Sequence, residues 1–359
     1  MGDTKTGGGL SKITKSCSLA PGTYTATAKM YDVEGNITMS VKTFTVVASP
    51  VVRYAGTDIF ASAAAASAHT FGSPCHCTAY IAYAYNFPDA LAGAAAAGKV
   101  HGPVLFAATT GALNAATAAE LTRLAPDHIV VLGSSVVISD AVMSAIAAYA
   151  PAGQTVRYAG PDRYATAAAV SAATYPAACG CTVYIAYSKN YPDALAGAAA
   201  AGKVPGPILL VNVTGAIDAS TATELRRLKP ANIVVLGSSA VISSAVYNAL
   251  ASYVPKGHIG RYYGADRYAT AASISAHTYP AACGCTVYIA SGKDYNDALA
   301  AAAAAGTLNG PLLLVYSSGS LPGATITELK RLKPAHIVVV GNTSVVSDGI
   351  YNLLAAYVS

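Results

Sequence analysis

The chain repeats itself with a long, gapless period. Arg53, Arg157 and Arg261 open three matching segments 104 residues apart, and the same spacing carries Asp89 onto Asp193 and Asp297, and Gly133 onto Gly237 and Gly341. Such a period lies outside the roughly 20 to 50 residues of solenoid turns. Each copy is long enough to bury a core of its own. The repeat therefore predicts a leader over residues 1–50 and three tandem modules over residues 51–154, 155–258 and 259–359.

Copy two displays the order of elements. Thr182 to Tyr187 (TVYIAY) is an apolar run of strand length, Lys189 to Pro192 a loop, and Asp193 to Gly202 (DALAGAAAAG) a helix of small residues. A strand over Pro207 to Val211, a helix over Ala219 to Leu228, a strand over Asn232 to Leu236 and a helix over Ser243 to Tyr253 follow. After the extended Arg261 segment, copy three opens with a helix over Tyr268 to His277. Strands alternating with helices predict a parallel α/β sheet. Fully apolar strands such as Ile233 to Leu236 (IVVL) fit a sheet covered by helices on both faces. The leader differs in kind: Gly22 to Tyr31 and Thr38 to Val47 alternate in strand fashion around a turn at Asp32 to Asn36, which predicts a β-hairpin. A lone hairpin is marginal in water, so it is expected to be the end of a larger sandwich or to dock on the modules.

Composition narrows the functions. Charged residues make up 11% of the chain, against about 25% in average globular proteins. A surface rich in hydroxyls and amides suits a protein that handles carbohydrate outside the cell. The net charge of +5 is spread without a basic run, so nucleic acid is not an expected partner. The uncharged stretch from Ala298 to Thr327 is broken by Asn309, Gly310, Pro311, Gly319, Pro322 and Gly323, which leaves no membrane span of about 20 apolar residues. Met1 to Ser16 is polar and Gly-rich with no apolar core, so no signal peptide is expected there, and the chain reads as a fragment of something longer.

Catalytic motifs are missing: there is no GxSxG, HExxH, GxGxxG after a strand, or GxxxxGK[ST]. Histidines do not recur as a set, since His69 and His277 align with Ala173, and His128 and His336 with Asn232. No metal and no cofactor are expected. The cysteines form CxC pairs, Cys75/Cys77, Cys179/Cys181 and Cys283/Cys285, with Cys17 left over. In an extended segment the two side chains of each pair point the same way, which allows one local disulfide per module. Free buried thiols and a metal or redox role stay open.

Three positions recur where α/β sheets hold ligands, at the carboxyl ends of strands. Asp89, Asp193 and Asp297 stand at predicted helix starts after a loop carrying Asn86, Asn190 or Asp294. They read as helix caps, as ligand contacts, or as both, because a helix N-terminus favours anions. After the third strand come Gly133-Ser134, Gly237-Ser238 and Gly341-Asn342, a turn that hydroxyl or amide side chains would line. Arg163 and Arg267 belong to RYAGPDRYAT and RYYGADRYAT and are able to clamp a phosphate or carboxylate. Alternatively, each Asp-Arg pair caps a helix with the arginine lying over it.

The series R-Y-x-G-x-D-R-Y-x-T, Y/F-P-D-A-L-A, G-P with a hydrophobic run, and I-V-V-L-G resembles the cell-wall-binding repeat type 2 family over about Arg53 to Ser359. That resemblance implies Toprim-like or Rossmann-like α/β modules in a pseudo-threefold intramolecular trimer within a monomeric chain. It also implies non-catalytic, non-covalent anchoring of a secreted protein to the Gram-positive cell wall, as in clostridial wall and S-layer proteins. The implied partner is an anionic cell-wall glycopolymer such as teichoic acid. The leader resembles the last two strands of bacterial immunoglobulin-like domains. Three departures stand out: Ile59 replaces the second arginine in copy one, Asn296 replaces the proline of PDAL in copy three, and the CxC pairs are additions to the pattern. The competing readings are a stalk or adhesin, the wall-binding part of a hydrolase such as an amidase, and a nucleotide-binding domain. An amidase needs a catalytic domain that Met1 to Pro50 is too short to supply, and the nucleotide reading lacks its glycine fingerprint.

Overall fold

The computed structural model describes residues 22–32, 34–46 and 49–359. Cys17 and the Met1 to Ser16 segment lie outside them. The chain divides into two compact units, Met1–Ser49 and Pro50–Ser359. The first contains the expected hairpin, strand β1 (Gly22–Tyr31) paired antiparallel with β2 (Ile37–Val46). Its turn is held by Asp32, whose carboxylate accepts from the backbone N–H groups of Glu34 and Asn36.

In the second unit each copy runs strand–helix four times. Copy one contains β3 (Val51–Tyr54), α1 (Ile59–Thr70), β4 (Thr78–Tyr83), α2 (Pro88–Val100), β5 (Val104–Ala107), α3 (Ala115–Leu124), β6 (His128–Leu132) and α4 (Asp140–Ala147). Copy two contains β7 (Thr155–Tyr158), α5 (Arg163–Thr174), β8 (Thr182–Tyr187), α6 (Pro192–Lys203), β9 (Ile208–Val211), α7 (Ala219–Leu228), β10 (Asn232–Leu236) and α8 (Ser244–Leu250). Copy three contains β11 (Ile259–Tyr262), α9 (Arg267–Thr278), β12 (Thr286–Ser291), α10 (Tyr295–Thr307), β13 (Leu312–Val315), α11 (Gly323–Leu332), β14 (His336–Val340) and α12 (Asp348–Leu354). The helix expected over Ser243 to Tyr253 is α-helical only to Leu250 and tightens into a 3-10 turn over Ala251–Tyr253.

All three sheets are parallel and four-stranded, and each borrows its last strand from the next copy. Their orders are β5-β4-β6-β7, β9-β8-β10-β11 and β13-β12-β14-β3. Val131 pairs with Arg157, Val235 with Arg261, and Val339 with Arg53. Because β3 comes from the start of copy one and closes the sheet of copy three, the ring is sealed by backbone hydrogen bonds between its two ends. Sheet membership is thus offset by one strand from the sequence period.

The alanine-rich helices α2, α6 and α10 pack against one another at the centre. Their alanines and the inner faces of all three sheets merge into one common core, while separate apolar clusters lie on the outer faces of the second and third sheets. Gly98, Gly202 and Gly306 meet where these helices cross: a Cβ built on Gly202 would sit 2.3 Å from the Gly306 Cα. Glycine there removes the one atom that would hold the backbones apart.

Cys75 is joined to Cys77, Cys179 to Cys181 and Cys283 to Cys285, with Cα–Cα separations of 5.1, 4.9 and 4.9 Å. The segments are not extended, as the sequence reading supposed. The middle residue of each is left-handed, with φ of 47° at His76 and 52° at Gly180 and Gly284. That turn, rather than a strand alternation, brings the two sulfurs together.

The axial contact generates a prediction. Gly202→Leu puts a branched side chain into backbone that has no room to yield, so the variant should melt at least about 5 °C below the parent in a thermal scan. Gly72→Leu, at a site where a Cβ meets nothing within 4 Å, should leave the midpoint near that of the parent. Equal midpoints for the two variants would count against the axial packing.

Candidate ligand site at the intermodule clefts

Where one copy meets the next, the carboxyl ends of its strands face the opening helix of its neighbour. Between copies one and two this forms a cleft of about 280 Å³ lined by Asn86, Asp89 and Ser134 from one side and Asp162, Arg163 and Thr166 from the other. The sequence-predicted residues Asn86, Asp89, Ser134 and Arg163 are therefore brought together across a module boundary. The repeat places Asn190, Asp193, Ser238, Asp266 and Arg267 equivalently at the second boundary, and Asp294, Asp297, Asn342, Asp58 and Ile59 at the third.

The helix-cap reading of the repeated aspartates is corrected by the structure. Pro88 and Pro192 take the first helical position, the N-caps are Phe87 and Tyr191, and neither helix has a side-chain cap. Asp89 and Asp193 stand one residue inside. In copy three Asn296 replaces the proline, which restores an N–H, and Asp294 caps it with a 2.9 Å bond. The cap reading does hold for Asp162 and Asp266, whose carboxylates accept from Ala165 and Ala269. Asn86 and Asn190 each accept from the backbone N–H that follows them.

The glycines of the third-strand turn make room for the aspartates. Gly133, Gly237 and Gly341 have φ of 92°, 100° and 116°, and a Cβ on any of them would lie 2.5 Å from Oδ2 of Asp89, Asp193 or Asp297. Next to these glycines, Ser238 Oγ accepts from the N–H of Ala240, and Asn342 donates across the boundary to the Gly56 carbonyl at 3.3 Å.

Each arginine is partly committed to the backbone. Arg163 donates from Nη1 to the Ser188 carbonyl and Arg267 to that of Gly292, both at 2.6 Å. The guanidinium is steered by these bonds and keeps further donors. Beside Arg163, the Tyr164 hydroxyl donates to Asn212 Oδ1 at 2.6 Å.

Burial pushes the Asp89 carboxyl up to about 6, against the opposing pull of Arg163. Asp193 is also raised by burial, with the Thr270 hydroxyl and Arg267 acting in the other direction. Asp297 goes furthest, up to about 7, through burial and the neighbouring Asp294, with the Ser62 hydroxyl opposing. Its cleft holds Ile59 where the other two hold arginine.

Two features escaped the sequence reading. The first arginine of each copy is a tether: Arg53, Arg157 and Arg261 donate to the carbonyls of Gly341, Gly133 and Gly237 in the sheet they join. Arg53 and Arg157 also pair with Asp348 and Asp140. Their position inside a borrowed strand, invisible in sequence, explains the role. The second feature is Lys189 and Lys293, which directly follow the carbonyls that hold Arg163 and Arg267, whereas copy one has Tyr85. Comparing the three copies at that column would have found them. Among the described residues no cluster of three His, Cys, Asp or Glu is placed to hold a metal ion.

Comparison with known proteins bears on these boundaries. The chain matches the family described as Cell wall binding domain 2 over residues 53–143, 157–247 and 261–351. It belongs to that family. Wall binding is thus the property of its three modules, and it places the chain at the bacterial cell surface. Over 200 residues, 55% of this chain, it is 31% identical to N-acetylmuramoyl-L-alanine amidase LytC of Bacillus subtilis and 28% identical to the Amidase enhancer of the same organism. Those alignments span 38% and 26% of the two relatives. Among solved structures, Cwp8 from Clostridium difficile aligns with TM-score 0.75 at 18% identity, covering 93% of this chain and 59% of that one. Cwp6 from the same organism aligns with TM-score 0.77 at 21% identity, covering 92% and 51%. The expected three-module α/β fold is the fold of those proteins. No helix among the described residues is long and apolar enough to cross a membrane.

The shifted carboxyl of Asp297 yields a stability prediction. It titrates at about 7 in the folded chain, against its ordinary 3.8, so the folded state holds an extra proton between these values. Stability from this group is highest below the ordinary value and falls as pH rises through about 7. Asp297→Asn cannot ionise and escapes the loss. Its melting midpoint should exceed that of the parent at about pH 8, and the gap should shrink toward about pH 4. A gap that does not change with pH would refute the assignment.

Proposed function

We propose that the chain anchors a secreted protein non-catalytically and non-covalently to the Gram-positive wall by holding an anionic wall glycopolymer in the clefts between modules. The observation that carries this reading is the meeting of Arg163 with Asp89 and Ser134 across one boundary, at the carboxyl ends of the strands. Arg267, Asp193, Asn190 and Ser238 repeat it at the next. An arginine held by one carbonyl presents its remaining donors in a fixed plane, a geometry suited to a phosphate or carboxylate. Asp89, raised toward neutrality, is able to donate to the same ligand when protonated and repels an anion less than an ordinary carboxylate would.

Several sites on one rigid ring would act together. Once one segment of a polymer is held, the next site meets its ligand at a high effective concentration, so weak contacts sum to firm retention. Similarity to an amidase over part of that enzyme's length fits a binding role in this chain, with any hydrolysis belonging to a separate catalytic domain.

The test is co-sedimentation of the purified chain with Gram-positive walls before and after acid extraction of their anionic polymers. Binding is expected to vanish on extraction and to weaken with salt. The pair Arg163→Ala and Arg267→Ala should lower retention about tenfold or more with an unchanged melting midpoint. Full retention by that double variant would sink the assignment, and no binding of the parent to either wall preparation would favour a stalk.

A further inference from the structure

The third cleft, between copies three and one, has the frame of the other two and the opposite chemistry. Ile59 takes the register position of Arg163 and Arg267. The arginine of the other clefts is therefore replaced by an uncharged side chain. One carboxylate is added: Asp294 stands where the others have Asn86 and Asn190, close enough to Asp297 to raise it. The segment across the boundary is in place, since Asn342 bonds to Gly56 and Ser62 reaches Asp297.

Two buried side-chain oxygens at the start of α10 have no hydrogen-bond partner. Asp297 is 2% exposed and Asn296 8% exposed, and Oδ1 of each is buried without a donor. Their equivalents in copy one, Asp89 and Pro88, line the first cleft, so the orphan acceptors belong to residues of the ligand face. Buried acceptors left unmet are costly and call for a donor. An anion supplies none and would face Asp294 and Asp297 with no guanidinium opposite. A metal ion would need a ligand cluster that the described residues do not form. A primary ammonium carries three donors, no acceptor and a compact positive charge.

We propose that the cleft formed by Asp294, Asn296, Asp297 and Ile59 binds a primary ammonium group, of the kind borne by an amino sugar with an unacetylated amine. The site differs in charge sign from the two arginine clefts, and its occupancy does not rest on the anion reading of those. One ring would then read a polymer that carries both charges, with anions taken at two boundaries and an ammonium at the third.

The test titrates the full chain with glucosamine, with N-acetylglucosamine and with calcium chloride, followed by NMR chemical shifts. Glucosamine should saturate a site, while N-acetylglucosamine, identical except for its neutralised nitrogen, should bind at least about tenfold more weakly. Asp297→Asn removes the charge while keeping the shape, and Ile59→Arg restores the cation of the other copies. Both should lose glucosamine binding about tenfold or more, and the melting midpoint of each variant verifies that it is folded. Equal binding of the two sugars, no saturation by glucosamine up to about 10 mM, retention of binding in both variants, or displacement of glucosamine by calcium would each overturn the proposal.

Discussion

Everything in the ring depends on how closely three helices approach its axis. Gly98, Gly202 and Gly306 lie backbone to backbone, and alanines fill the remaining contact face of α2, α6 and α10. Side chains this small contribute little apolar area each, so the core gains its stability from close packing across many contacts rather than from large residues. Close approach has a geometric consequence as well. It draws the three sheets inward until the carboxyl ends of one module's strands abut the opening helix of the next, and these abutments are the clefts.

Ring closure converts three modules into one object. Each sheet is completed by a strand from the following copy, and β3 returns from the start of the chain to finish the sheet of copy three. The arginine in each borrowed strand then ties down the glycine turn beside the neighbouring aspartate. The same residue thus joins assembly to site: a boundary that opened would pull the turn away from Asp89, Asp193 or Asp297. A ligand bridging a cleft touches both sides of such a boundary, so binding and closure stabilise each other.

Much of this was legible in the sequence because the repeat is gapless and the strand and helix signals agree in every copy. The order of elements, the parallel sheets and the recurrent Asp, Gly-Ser and Arg positions follow from spacing and apolar runs. What was not legible has physical reasons. Which sheet a strand joins is decided by long-range pairing, and the Arg157 strand carries no mark of belonging to the preceding sheet. The aspartates of the PDAL motif look like caps because they begin a helix, but a proline at the first helical position sets the start one residue earlier and frees the carboxylate. The CxC segment precedes a strand, and that neighbour suggests an extended backbone. Glycine between two of the pairs was the available sign of a left-handed turn, and His76 adopts the same conformation without that sign.

The three boundaries share a backbone and differ in the groups they present, and the differences form a set. In copy one the arginine and the lysine column change together, to Ile59 and Tyr85, and in copy three asparagine and proline become Asp294 and Asn296. Ile59, Asp294 and Asn296 come from distant parts of the chain, yet ring closure gathers them at one boundary, because copy one lies across it from copy three. Loss of a single arginine would leave a weakened copy of the other sites. Loss of the arginine together with gain of a carboxylate instead turns the cleft toward negative charge, although burial and Asp294 push the Asp297 carboxyl up to about 7, so its own charge develops only as pH rises through that value. A threefold frame that repeats its geometry while varying its electrostatics is able to recognise a polymer by the order of its charges, not only by their sum.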